Sequence, residues 1–140
     1  VEIEERMDKV LRHLPEIVGM NNHQGSNASA NKRVMNVMGN VLKEHGKYFL
    51  DSRTTKETQA ESTMRLIGVP TGRRHVFLDN NPEETSIIQQ LYSLAEIAKA
   101  NGFAVGIGQV KEHTLNVLQR EIPKLKADNY EFVFISEVVN

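Results

Sequence analysis

The 140 residues carry 17 Lys and Arg against 18 Asp and Glu, a net charge of −1, with 39% apolar and 25% charged residues. This balance excludes a disordered polar chain; no apolar run is long enough to be a transmembrane segment, and no basic tract favours nucleic acid as a partner. The absence of Cys removes disulfides, thiolate metal sites and cysteine nucleophiles, and leaves the redox compartment open.

The length suits one ordinary domain, residues 1–140, or a piece of a larger one. Val1 leads straight into Glu2-Ile3-Glu4-Glu5-Arg6 with no initiator Met, basic n-region or apolar h-region, so the start reads as cut. Ile3, Met7, Val10, Leu11 and Leu14 recur at helical spacing up to Pro15, and Ile17–Met20 reads as a first buried strand. After a polar loop, Val34, Val37, Met38, Val41 and Leu42 share a helical face, with Gly46 placed for a left-handed C-terminal cap. Tyr48-Phe49-Leu50 is the second strand.

Thr54 with Glu57 has the form of a capping box, and the spacing predicts a helix from there to Gly68. His75–Leu78 is the third strand. Asn81-Pro82-Glu83-Glu84 combines a capping Asn, a Pro at the first helical position and two acids against the dipole, opening a helix that stops at Gly102. Phe103–Ile107 is the fourth strand, a helix through Leu115, Leu118 and Ile122 follows, and Phe132–Ile135 is the fifth strand. Continuously apolar strands alternating with helices mark an α/β protein whose sheet is parallel and covered by helices.

Right-handed crossovers then collect the residues after each strand on one rim. These residues are Asn21-Asn22-His23, Asp51-Ser52-Arg53, Asp79-Asn80, Gly108-Gln109 and Ser136-Glu137, all polar but the glycine. His23 has two readings: an imidazole ligand to a divalent metal with oxygen from Asp51 or Asp79, or a surface histidine bonded to a loop carbonyl. Arg53 offers a fork for a carboxylate or tetrahedral oxyanion, or pairs with Asp51. Asp79 is a candidate catalytic carboxylate or a cap for a helix start. His13 and His45 fall in last helical turns, His75 opens a strand, and His113 sits at an exposed helix start.

No His-Glu-x-x-His pair, nucleophile elbow or phosphate loop occurs. Gly106-Ile107-Gly108 begins a dinucleotide fingerprint, but Lys111 fills the third glycine position, so a nucleotide-binding reading has little support.

Gly19-Met20-Asn21-Asn22-His23-Gln24-Gly25-Ser26, Phe49-Leu50-Asp51-Ser52-Arg53-Thr54-Thr55, Gly68-Val69-Pro70, Val76-Phe77-Leu78-Asp79-Asn80 and Gly106-Ile107-Gly108 resemble, in order and spacing, the divergent polysaccharide deacetylase family. The resemblance spans most of the chain. It implies a bacterial, exported or periplasmic protein with the (β/α) barrel of the glycoside hydrolase/deacetylase superfamily. It also implies a hydrolase that removes N-acetyl groups from a polysaccharide or cell-wall glycan, using a divalent metal, typically zinc. On that reading His23 and Asp51 hold the metal, and Asp51, Arg53 and Asp79 are the catalytic set. Asn21, Asn22, Ser26 and Gln109 would contact the carbohydrate.

Two features depart from the family pattern. No Asp-Asp pair occurs, and a barrel of about 200–250 residues exceeds this chain, so the 140 residues read as the carboxyl-terminal portion of a domain lacking its first strands. Gln109 stands where many members place His, and an amide cannot serve as general acid, though it can orient a substrate carbonyl. The alternative is a catalytically inactive glycan-binding or cell-envelope scaffold with the same fold.

Overall fold

The computed structural model describes residues 1–22 and 26–140 and divides into two compact units, residues 1–73 with 136–140, and residues 74–135. The first unit opens with α1 (Glu2–His13), whose Met7 and Leu11 are buried while Glu2, Glu4 and Glu5 favour its N-terminal dipole end. β1 (Gly19–Asn21) and the short α2 (Ser26–Ser29) precede α3 (Lys32–Glu44). α3 is capped by Asn31, whose Oδ1 accepts from Val34 N (3.1 Å). Gly46 follows it at φ +67°, the left-handed turn expected from the sequence.

β2 (Tyr48–Asp51), α4 (Ala60–Ile67) and β3 (Thr71–Arg73) complete the first sheet, which is parallel in the order β1-β2-β3. The register pairs Asn21 with Leu50 and Asp51 with Arg73, so both strand ends reach the same edge. Met7, Leu11, Met35, Leu42, Phe49 and Met64 form the core between sheet and helices. α3 and α4 approach closely because residue 39 is Gly: a Cβ there would lie 2.6 Å from Ile67 Cδ1. Asp8 of α1 accepts from His45 Nε2 (2.8 Å) and pairs with Arg12 Nε (2.7 Å), tying α1 to the end of α3. The His45 hydrogen bond, aided by the Arg12 charge, holds the Asp8 carboxyl below its ordinary pKa against a smaller opposing effect of burial.

The second unit contains β4 (Val76–Phe77), α5 (Glu84–Asn101), β5 (Gly106–Ile107) and α6 (Glu112–Ala127). β4 and β5 are parallel, with Phe77 opposite Ile107. Val76, Leu78, Ile87, Leu91, Val117 and Leu125 form its core. Between α5 and α6, the Tyr92 hydroxyl donates to Glu121 Oε1 (3.3 Å) and Lys124 Nζ lies 2.9 Å from Glu121 Oε2. The Lys124 hydrogen bond lowers the Glu121 pKa, while burial and the neighbouring carboxylate raise that of Tyr92.

The α/β class with parallel strands is present; a closed barrel is not shown, because the described strands form one three-stranded and one two-stranded sheet. Four local expectations change. The Thr54–Glu57 capping box does not open a helix: α4 starts at Ala60, its first amides served by Thr58 Oγ1 and Asp51 Oδ2. β3 was invisible because Thr71-Gly72-Arg73 lacks an apolar run. Asn81 Oδ1 accepts from Glu83 N in a turn ahead of α5, so that helix begins at Glu84. Phe132–Phe134 form no strand among the described residues, and Ile135–Glu137 is a 3-10 turn, since apolar content alone supplies no ladder partner.

Candidate functional site

In the first unit, the ends of β1 and β2 carry Asn21, Asn22, Asp51, Ser52 and Arg53. Parallel pairing brings them together, and side-chain hydrogen bonds fix them. Asn21 Nδ2 donates to Ser52 Oγ (3.2 Å), Asn22 Oδ1 accepts from Ser52 N (2.7 Å), and Asn22 Nδ2 donates to Ser29 Oγ (2.6 Å). The two asparagines therefore stitch β1 to β2 and to α2. His23 and the side chain of Ser26 lie outside the described residues.

Asp51 is fully buried, and its carboxylate is crowded with donors. Oδ1 accepts from Arg53 N (2.9 Å); Oδ2 accepts from Thr58 Oγ1 (3.0 Å) and Glu61 N (3.2 Å). One carboxylate thus caps α4 from a neighbouring strand and holds the loop between. Arg53 sits at φ +52°, a left-handed conformation uncommon for a residue with a Cβ. Asp51 holds the main-chain N–H of Arg53, a contact that sequence reasoning did not foresee.

In the second unit, Asp79 follows β4 and Gln109 follows β5. Asp79 Oδ2 accepts from Gln109 N (2.7 Å) and Thr114 Oγ1 (2.6 Å), and its Oδ1 accepts no hydrogen bond among the described residues. Asp79 is half-buried and Gln109 exposed. Asp79 lies three residues ahead of Pro82, yet it organises the neighbouring loop and α6 instead of capping α5. Asn80 is exposed beside it, and Ser136 and Glu137 lie in the 3-10 turn.

The remaining histidines take structural places. His75 Nδ1 accepts from Val105 N (2.9 Å), His13 Nδ1 lies 2.7 Å from Lys9 O, His45 meets Asp8, and His113 is exposed. The residues sequence reasoning missed are Ser29, Thr58 and Thr114, which reach the rims through tertiary contacts that no local spacing encodes. The glycines near β5 carried a signal of a different kind. A Cβ at Gly106 would lie 2.6 Å from Leu94 Cδ2 and one at Gly108 3.0 Å from Thr114 Cγ2, so both serve close packing.

Of the two metal ligands that the resemblance implies, Asp51 is among the described residues and His23 is not. Asp51 is enclosed with three donors on its two oxygens, and no group of three His, Asp or Glu side chains converges among the described residues. No helix among the described residues is long and apolar enough to cross a membrane.

The family model for divergent polysaccharide deacetylases matches residues 1–139. The chain belongs to that family. It is 35% identical over 127 residues to the uncharacterized protein YibQ of Escherichia coli and 32% identical over 127 residues to an uncharacterized protein of Haemophilus influenzae. Each alignment covers 91% of this chain, but only 40% and 45% of those relatives, so the chain spans less than half of their length. The crystal structure of the uncharacterized protein ATU2773 from Agrobacterium tumefaciens C58 has the same fold, with TM-score 0.90 and 23% identity. That match covers 98% of this chain and 57% of the other.

Proposed function

We propose that the protein is a carbohydrate-directed hydrolase that removes N-acetyl groups from a polysaccharide or cell-wall glycan, with the strand-end rim of each unit facing substrate. The observation that carries this reading is the construction of the rims: amides and hydroxyls fixed by hydrogen bonds around carboxylates. Fixed neutral donors and acceptors match the hydroxyl and acetamido groups of a sugar.

In the first unit, Asn21 and Asn22 hold glycan hydroxyls, and Arg53 provides a fork for a carboxylate. Asp51 keeps Arg53 in its left-handed conformation. In the second unit, Asp79 offers Oδ1 as the acceptor of a proton from water, and Gln109 orients the acetamide. Water adds to the acetamide carbon, the C–N bond breaks, and the amine nitrogen gains a proton, giving acetate and a free amino sugar. Zinc or another divalent ion, with His23 as its ligand, belongs to the family expectation and is not carried by the described residues. An exported or periplasmic location suits a cell-wall substrate.

A specific observation favours a second reading, a catalytically inactive glycan-binding or envelope scaffold. Asp51 is saturated with donors, and Gln109 cannot supply a proton as an imidazole would. Incubating the intact protein with N-acetylglucosamine oligomers and peptidoglycan fragments separates the two. Release of acetate with matching free amine, lost in Asp79→Asn, supports the hydrolase; glycan binding without acetate, unchanged by chelator, supports the scaffold.

A further inference from the structure

Thr114 has no part in the site as read from the sequence, yet it and the rim residue Gly108 are both packed around Asp79. Thr114 lies in the first turn of α6 and is only 2% exposed. Its hydroxyl donates to Asp79 Oδ2 at 2.6 Å, and the same oxygen accepts from Gln109 N at 2.7 Å. Gln109 is held from its other side as well, because its carbonyl accepts from Lys111 N (2.8 Å). Both main-chain polar groups of Gln109 are thus committed while the residue itself is exposed.

The packing leaves little slack in this knot. A Cβ at position 108 would stand 3.0 Å from Thr114 Cγ2 and 3.5 Å from Asp79 Oδ2, so the loop reaches Asp79 because residue 108 is Gly. The first unit repeats the device at Asp51, with the hydroxyl of Thr58 and the main-chain N–H of Arg53. In both, a strand-end aspartate is oriented by a threonine and in turn orients the peptide of a rim residue.

We infer that Thr114 is a positioning residue that, through Asp79, sets Gln109 to read the acetamido group of the substrate. A carboxamide offers one acceptor and two donors, so a glutamine of fixed peptide position can both donate to an acetamide carbonyl and accept from its N–H. A free amino sugar, cationic and lacking the carbonyl, cannot return that pair. Gln109 therefore favours N-acetylated over de-N-acetylated residues. This inference rests on the carbohydrate reading above, and its test separates the two.

In the intact protein, amide hydrogen exchange at Gln109 is compared among wild type, Thr114→Val and Thr114→Ser, together with affinity for N-acetylglucosamine and glucosamine oligomers. Thr114→Val removes the donor at nearly constant volume. It should speed Gln109 exchange about tenfold and lower the preference for the N-acetylated oligomer about tenfold, the loss of one hydrogen bond to a charged acceptor. Thr114→Ser should restore both. Gln109→Ala, which leaves the buried knot in place, should lose the preference without loss of thermal stability, and it keeps the test open should Thr114→Val fold poorly. Unchanged Gln109 exchange in a folded Thr114→Val protein overturns the positioning role. Altered exchange in a protein whose wild type binds both oligomers equally overturns the acetamide reading alone, and one whose wild type binds neither overturns the carbohydrate function while leaving the Thr114–Asp79–Gln109 linkage standing. An undiminished preference in Gln109→Ala overturns the inference alone.

Discussion

Asp51→Ala separates a carboxylate that builds the rim from one that waits in the open for a ligand. The wild-type side chain is fully buried and accepts three hydrogen bonds, from Arg53 N, Thr58 Oγ1 and Glu61 N. Hydrogen bonds to a charged group contribute about 1.5–3 kcal/mol each, and three that share one carboxylate are not additive, so their joint loss costs about 4 kcal/mol. Release of Arg53 from φ +52° returns about 1 kcal/mol. The net destabilisation is about 3 kcal/mol, or a fall of about 10 °C in Tm for a protein of this size. Urea unfolding followed by circular dichroism measures it, with Thr58→Val, expected to cost about 1–2 kcal/mol, as the partial version. A net loss below about 1 kcal/mol for Asp51→Ala, or a gain, would refute the reasoning, because removing a carboxylate held mainly for a ligand relieves the ligand-free fold.

Thr63 is 2% exposed and its hydroxyl has no hydrogen-bond partner among the described residues, so Thr63→Val should be neutral or stabilise by up to about 1 kcal/mol in the same unfolding assay. Gly68 ends α4 at φ +94°, so Gly68→Ala should cost about 1 kcal/mol, read as a lower urea midpoint at unchanged slope. Asp8 has a lowered folded pKa, so its contribution is complete above the ordinary carboxylate range and disappears as pH falls through that range to the lower folded value. Asp8→Asn should therefore flatten that acid limb of the stability–pH curve, read by urea unfolding at a series of pH values.

The helix ends were legible wherever a local signal decides them. Gly46, Gly68 and Gly102 take the positive φ that closes α3, α4 and α5, as their places in the sequence imply. The parallel strands beneath the rims were legible from apolar runs, apart from β3, whose Thr71-Gly72-Arg73 is held by its pairing with Phe49–Asp51. Phe132–Phe134 failed in the opposite sense, since apolar residues without a partner strand make no ladder. At the rims, the sequence showed which polar groups follow the strands, as members of one common rim, but not what they bond to. In the sequence Asp51 reads as a metal ligand or a partner of Arg53, and Asp79 as a catalytic carboxylate or a helix cap; in the fold each accepts from a threonine, seven residues away in one case and 35 in the other. Such contacts depend on tertiary geometry that spacing does not carry.

The most direct measurement is an NMR titration of the intact protein with an N-acetylglucosamine oligomer, following backbone amide shifts residue by residue. The account predicts saturable shifts concentrated at Asn21, Asn22, Ser52, Arg53, Asp79 and Gln109, weaker with the glucosamine oligomer. Shifts absent at saturating oligomer, or confined to residues remote from the strand ends, would contradict it.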